Sequence, residues 1–192
     1  MRAQLWAAIK TFLVITVLVG IAYPLVVTGV AQIAFKHAAD GSLIKQNGTV
    51  VGSELLGQEF KGAKWFQPRP SAADYDALAS GGTNLGPTNP VLLEAVKQRV
   101  AAYRTANLLK PGERVPVDAV TSSGSGLDPH ISKLNAQYQA RRVAAARGIS
   151  KARLQQLIDQ HTDDASLGFL GEPGVNVLEL NLALQQLAAA RT

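Results

Sequence analysis

Apolar and polar positions are segregated along the chain rather than mixed. Thr11 to Phe35 reads TFLVITVLVGIAYPLVVTGVAQIAF and holds no charged residue in 25 positions. As a helix rising ~1.5 Å per residue it reaches about 37 Å, enough to cross a hydrocarbon core of about 30 Å. This stretch predicts a transmembrane helix over 11–35. Residues 36–192 are far more polar, and the pattern changes to short alternating periods. Ser42 to Gln46, Asn47-Gly48 and Thr49 to Ser53 predict a hairpin, because Asn-Gly supplies the positive φ of a two-residue turn. Phe60 to Pro70 reads as extended around Pro68 and Pro70, with Trp65-Phe66 turned to the core. Asn89 as N-cap and Pro90 at the first helical position start a helix to about Lys110, with Leu92, Val96, Val100 and Tyr103 on one face. A strand is expected over Val115 to Val120. Ser132 caps a helix that Gly148 closes after Arg147, and Ser150 caps another to about His161. Val175-Asn176-Val177 reads as a strand, followed by an amphipathic helix marked by Leu180, Ala183, Leu184 and Leu187. This order of elements gives an α+β fold class, with one soluble domain behind one span.

The apolar stretch is longer than the 7–15 apolar residues of a secretory leader, so it reads as a retained anchor, although Gly29-Val30-Ala31 has the small residues of a cleavage site. Pro24 lacks an amide donor, and Gly20 lies four residues before it, at the carbonyl left unpaired. Thr16, Gly20 and Pro24 share a face at small-xxx-small spacing, which lets a partner helix approach closely. Arg2 and Lys10 precede the span, whereas Lys36, His37 and Lys45 follow it. The count tilts toward a cytoplasmic tail over 1–10 and a periplasmic or extracytoplasmic domain over 36–192.

Charge and composition narrow the chemistry. The 17 basic and 14 acidic residues after the span leave a formal +3, too mild to argue for nucleic acid. Cysteine is absent, which removes disulfides, thiolate metal sites and cysteine nucleophiles. Histidines stand at 37, 130 and 161, without a pair at ligand spacing, so no metal site is expected. Ser125, Asp128 and His130 crowd too closely for a hydrolase triad, and no Gly-x-Ser-x-Gly elbow occurs. The helices on either side of Arg147-Gly148 resemble a helix-turn-helix, with Arg141, Arg142, Lys151 and Arg153 as its basic residues; a membrane-tethered DNA-binding protein is the weaker alternative. Two polar loops, SGGTNLGPTNP over Ser80–Pro90 and TSSGSGLDPH over Thr121–His130, carry Ser80, Gly81, Gly82 and Asn84, and Gly124, Ser125, Gly126 and Asp128. They suit either partner contact or backbone contact with a phosphate. The motif G-x-x-x-x-G-K-[ST] is missing, and Ser80-Gly81-Gly82 matches only three residues of a transporter ATPase signature.

The runs RPSAADYDALASGGTNLGPTNP, VPVDAVTSSGSGLDPHIS and LGFLGEPGVNVLELNLAL, in this order, resemble the C chain of the bacterial potassium-transporting ATPase, the Kdp system. Nearly the whole chain takes part in the resemblance. One departure is Gln67, where an aromatic or glycine-rich variant is expected. The resemblance implies an accessory, non-catalytic subunit of an ATP-driven potassium importer in the bacterial inner membrane. Its partners would be a channel-like A subunit, a P-type B subunit that holds ATP and Mg, and a small F peptide, with lipid around the anchor. The family is described as a catalytic chaperone that raises the ATP affinity of the B subunit, and ATP binding has been attributed to the C chain itself. No cofactor is expected on this chain. Its domain outside the membrane would sit over the potassium entrance, where Asp74 and Asp76 would attract the cation.

Overall fold

In the computed structural model, residues 1–189 are described, and the chain divides into two compact units, 1–51 and 52–192. The first unit opens on a continuous helix of 33 residues, Arg2–Ala34, long and apolar enough to cross a membrane. It consists of α1 (Arg2–Ile15), a π-helical stretch (Thr16–Ala22) and α2 (Tyr23–Ala34), and none of its residues is buried. The π stretch has a local cause. Pro24 cannot donate to the carbonyl of Gly20 and its ring crowds that turn, so the helix widens and the Tyr23 amide donates five residues back to Leu18. A four-residue helix, α3 (Lys36–Ala39), follows, and Asp40 closes it by accepting from Lys36 at 3.0 Å and Gln32 at 3.1 Å. The expected hairpin forms from β1 (Leu43–Gln46) and β2 (Thr49–Ser53), with positive φ at both Asn47 and Gly48.

The second unit contains α4 (Pro90–Ala106), β3 (His130–Ser132), α5 (Lys133–Arg147), α6 (Lys151–Gln160), β4 (Thr162–Asp163), β5 (Gly174–Asn176) and α7 (Val177–Ala189). The strands form an antiparallel sheet in the order β3-β5-β4. With the hairpin and the helices, this is the α+β class. All three predicted caps are present: Asn89 accepts from Val91, Ser132 from Asn135 and Ser150 from Arg153. Gly148 takes the left-handed conformation that ends α5.

Two expectations are corrected. Val115 to Val120 is not a strand but carries a 3-10 turn over Val117–Ala119. The Asp118 carboxylate accepts from the Ser132 amide at 2.7 Å, the Ser132 hydroxyl at 2.9 Å and Asn135 Nδ2 at 2.9 Å, which curls the segment toward the start of α5. A strand lies at 130–132 instead, starting at the last residue of the second polar run. Helix α4 stops at Ala106 rather than near Lys110, because Asn107 takes the Tyr103 carbonyl with both its backbone and its side-chain nitrogen and Leu108 turns to positive φ.

The core joins Ile131 and Val175 of the sheet to Ala136 and Val143 of α5, Leu154, Leu157 and Ile158 of α6, and Leu180 and Leu184 of α7. Phe66, fully buried, enters this core from the extended segment before Pro68, while Trp65 is only half-buried and stacks under Arg147 at 4.3 Å. That segment lies in neither sheet, so its peptide groups need other partners. Side-chain amides supply them. Asn181 both accepts from and donates to the backbone of Phe66 at 2.9 Å, and Gln139 does the same for Gln67 at 2.7 and 2.9 Å. Buried Arg142 adds the carbonyls of Gly62, Ala63 and Trp65, with Gln139 and Asn107 completing its shell. The contacts of residue 67 seen here use its backbone, so the unusual Gln67 leaves the attachment unchanged.

Candidate functional site

The two polar loops pack against each other. The Gly81 amide donates to the Ser125 carbonyl at 2.8 Å, and the Ser80 hydroxyl donates to the same oxygen at 3.1 Å. Beside them the Ser123 amide reaches the Pro70 carbonyl at 3.3 Å, and the Ser71 hydroxyl donates to the Gly126 carbonyl at 2.7 Å. The backbones approach so closely that a Cβ on Gly126 would lie 2.9 Å from the Gly81 carbonyl oxygen, and φ there is +69°. A Cβ on Gly82 would lie 3.2 Å from the Gly124 oxygen. Ser80, Gly81 and Gly82 are thus brought together with Gly124, Ser125 and Gly126.

Asn84 stands apart on the exposed stretch after Gly82, with φ +54°. The Gly81 and Gly126 amides are spent inside the loop pair, the latter on Ser123. An amide so committed no longer points at an anion.

Ser71 also organises the acidic turn, accepting from the amides of Ala73 at 3.1 Å and Tyr75 at 3.0 Å. Asp74 and Tyr75 both sit at positive φ, a strained doublet for residues with side chains. The Tyr75 hydroxyl donates to the Arg69 carbonyl at 2.6 Å, and burial pushes its phenol up to about 12. Asp74 and Asp76 are exposed. Asp76 accepts from the Leu78 amide at 2.9 Å and so caps a 3-10 turn, whose Leu78 is 97% exposed.

Asp128 is held by a basic side chain and a backbone amide. Its carboxylate takes Arg69 at 3.0 Å and the His130 amide at 2.9 Å. Burial pushes this carboxyl up, but the contacts with His130 and Arg69 outweigh it and hold it below the ordinary value. His130 turns to Asp163, 2.8 Å from Nε2, and Ser125 Oγ is used by the Leu127 amide at 3.1 Å. The three residues do not form a triad. Sequence reasoning missed Arg69 and Asp163 as partners of this cluster, and no local signal marks either one.

Within the membrane-length helix, Thr16 and Gly20 are stacked, Thr16 Cγ2 lying 3.9 Å from the position of a Cβ on Gly20, and both are exposed with Pro24. The helix pair around Gly148 exists, but its basic residues are not a free face. Arg141 makes a two-pronged pair with Glu113 at 2.8 and 3.0 Å, Arg142 is buried among carbonyls, and only Lys151 and Arg153 are left exposed. Among the described residues, no group of three or more acidic or histidine side chains could hold a metal ion.

The comparison with known proteins now decides the family: the family model for the K+-transporting ATPase c chain, KdpC, matches residues 5–186. The chain belongs to this family. The potassium-transporting ATPase KdpC subunit of Mycobacterium tuberculosis H37Rv is 58% identical over 97% of this chain and 100% of its own length. The KdpC subunit of Sorangium cellulosum is 55% identical over 96% of this chain and 98% of its own. That of Koribacter versatilis is 50% identical over 96% and 95%. Membership in the KdpC family thus spans the apolar helix, the loop pair and the sheet alike.

Proposed function

We propose that the chain is the accessory C subunit of an ATP-driven potassium importer of the bacterial inner membrane and carries no catalytic site of its own. It crosses the membrane once, with residues 1–10 in the cytoplasm and 36–192 outside; the last three of these, 190–192, lie outside the described residues. Helix Arg2–Ala34 packs against the channel-like A and P-type B subunits and the small F peptide, with Thr16, Gly20 and Pro24 at the contact. ATP and Mg bind the B subunit, and the outer domain sits over the potassium entrance.

One observation carries this reading: a helix of 33 residues that buries none of them belongs to a chain of the KdpC family. Its apolar surface needs lipid and neighbouring helices, and Gly20 offers a place for close approach. Replacing Gly20 by Leu reduces co-purification of the partner subunits, and unchanged co-purification removes the contact.

A nucleotide-binding regulator differs in an accessible way. ATP titrated onto the purified chain gives no saturable binding on the present reading, whereas binding that Gly82→Val abolishes would establish the regulator. Asp74 and Asp76, exposed on one turn, attract the cation locally in spite of the basic domain. Neutralising both raises the apparent KM for potassium in transport assays, and an unchanged KM dismisses that role.

A further inference from the structure

Gly174 sits in the middle strand of the β3-β5-β4 sheet, and the space of its missing side chain is filled by His130. A Cβ at position 174 would lie 3.1 Å from His130 Cβ and 3.3 Å from two of its ring atoms. His130 pairs with Asn176 across one edge of β5, and Asp163 pairs with Gly174 across the other. The imidazole therefore crosses the middle strand on one face and meets Asp163 with Nε2 at 2.8 Å. Beneath this bridge the β4–β5 ladder is short, with only Thr162 and Asp163 paired. The loop that follows, 164–173, closes through a single bridge between Ser166 and Leu170 and leaves Leu167 and Phe169 exposed.

We propose that the His130–Asp163 contact is a pH-operated latch: protonated His130 holds β4 and loop 164–173 on the sheet, and loss of the proton loosens that edge. The groups facing the imidazole are few and mostly acidic. Asp128, from the loop before β3, stands 3.7 Å from Nδ1 and is itself held by Arg69. Asp163 comes from β4, and Asp164 and Glu172 of the following loop line the same cleft, whereas β5 presents uncharged Gly174. Asp128 first and then Asp163 raise the His130 value, against burial, which lowers it. The latch is therefore fully engaged below about 6.5, the ordinary histidine value, and is lost as pH rises through the raised value. Asp128, held low, stays ionised throughout that range. Since the Asp163 side chain is 72% exposed, the effect is a few-fold. The latch rests on this geometry and stands whichever side of the membrane the domain occupies.

Hydrogen exchange of the full chain in nanodiscs at pH 5.5 and 8.5, corrected for the intrinsic pH dependence of exchange, tests it. Amides of 162–173 exchange about threefold faster at the higher pH in the wild type, in line with a partly exposed ion pair. In Asp163→Asn the two values become equal, and Gly174→Ala, which pushes the ring aside without removing a titrating group, has the same effect. His161→Gln, which removes the histidine 3.3 Å from Glu179, keeps the wild-type difference. No pH difference in the wild type, or one that survives in Asp163→Asn, overturns the latch. The His130 titration midpoint followed by NMR gives a second reading, since Asp163→Asn lowers it and an unmoved midpoint contradicts the proposal.

Discussion

The helix Arg2–Ala34 and the domain after it solve the burial problem in opposite ways. The helix buries nothing within its own chain, and its one irregularity is the wide π turn before Pro24. The domain carries its own core, and it holds down the extended segment 62–67 with buried polar side chains rather than a sheet neighbour. The contrast is between an exposed apolar helix, an assembly element on the proposed reading, and a domain with its own core. Substitutions in the domain should therefore alter its unfolding, and those in the helix should alter assembly instead.

The largest expected effect on unfolding is at Arg142. Arg142→Leu keeps apolar bulk but strands the carbonyls of Gly62, Ala63 and Trp65 together with Asn107 and Gln139, and costs about 3 kcal/mol in urea unfolding of the full chain in detergent. A loss below about 0.5 kcal/mol, the size expected of an ordinary surface change, would show that Phe66 and the amides of Asn181 and Gln139 hold segment 62–67 without Arg142. Gly126→Val should cost about 2 kcal/mol, since a side chain there meets backbone at positive φ. Its unfolding midpoint against that of Gly124→Ala, where a Cβ meets nothing within 4 Å, separates close approach from general loop sensitivity. At the bottom of the scale, Gly20→Leu leaves domain unfolding within about 0.5 kcal/mol of wild type. A large shift there would break the separation between the two regions.

What could be read from the sequence was what is encoded locally. Asn89, Ser132 and Ser150 cap helices through amides two or three residues away, and Asn47-Gly48 sets its turn alone. The apolar helix was legible from length and absence of charge. The strands of two and three residues at Thr162 and His130 were not, because such segments are extended only by virtue of β5 beside them. Each glycine-rich loop was recognisable as a loop, but the Gly81 to Ser125 contact joins residues 44 positions apart. Likewise Asn181 finds Phe66 across 115 positions and His130 finds Asp163 across 33. Asp118 shows the local signal overridden, since three donors from the start of α5 curl an apparent strand into a turn.

The division of labour between helix and domain depends most on which side of the membrane the domain occupies. Two reporter enzymes fused after Thr192, one active only in the cytoplasm and the other only outside it, read this directly. The account predicts activity from the outside reporter alone. Activity from the cytoplasmic reporter would contradict it, and would bring the domain back within reach of intracellular nucleotide and DNA.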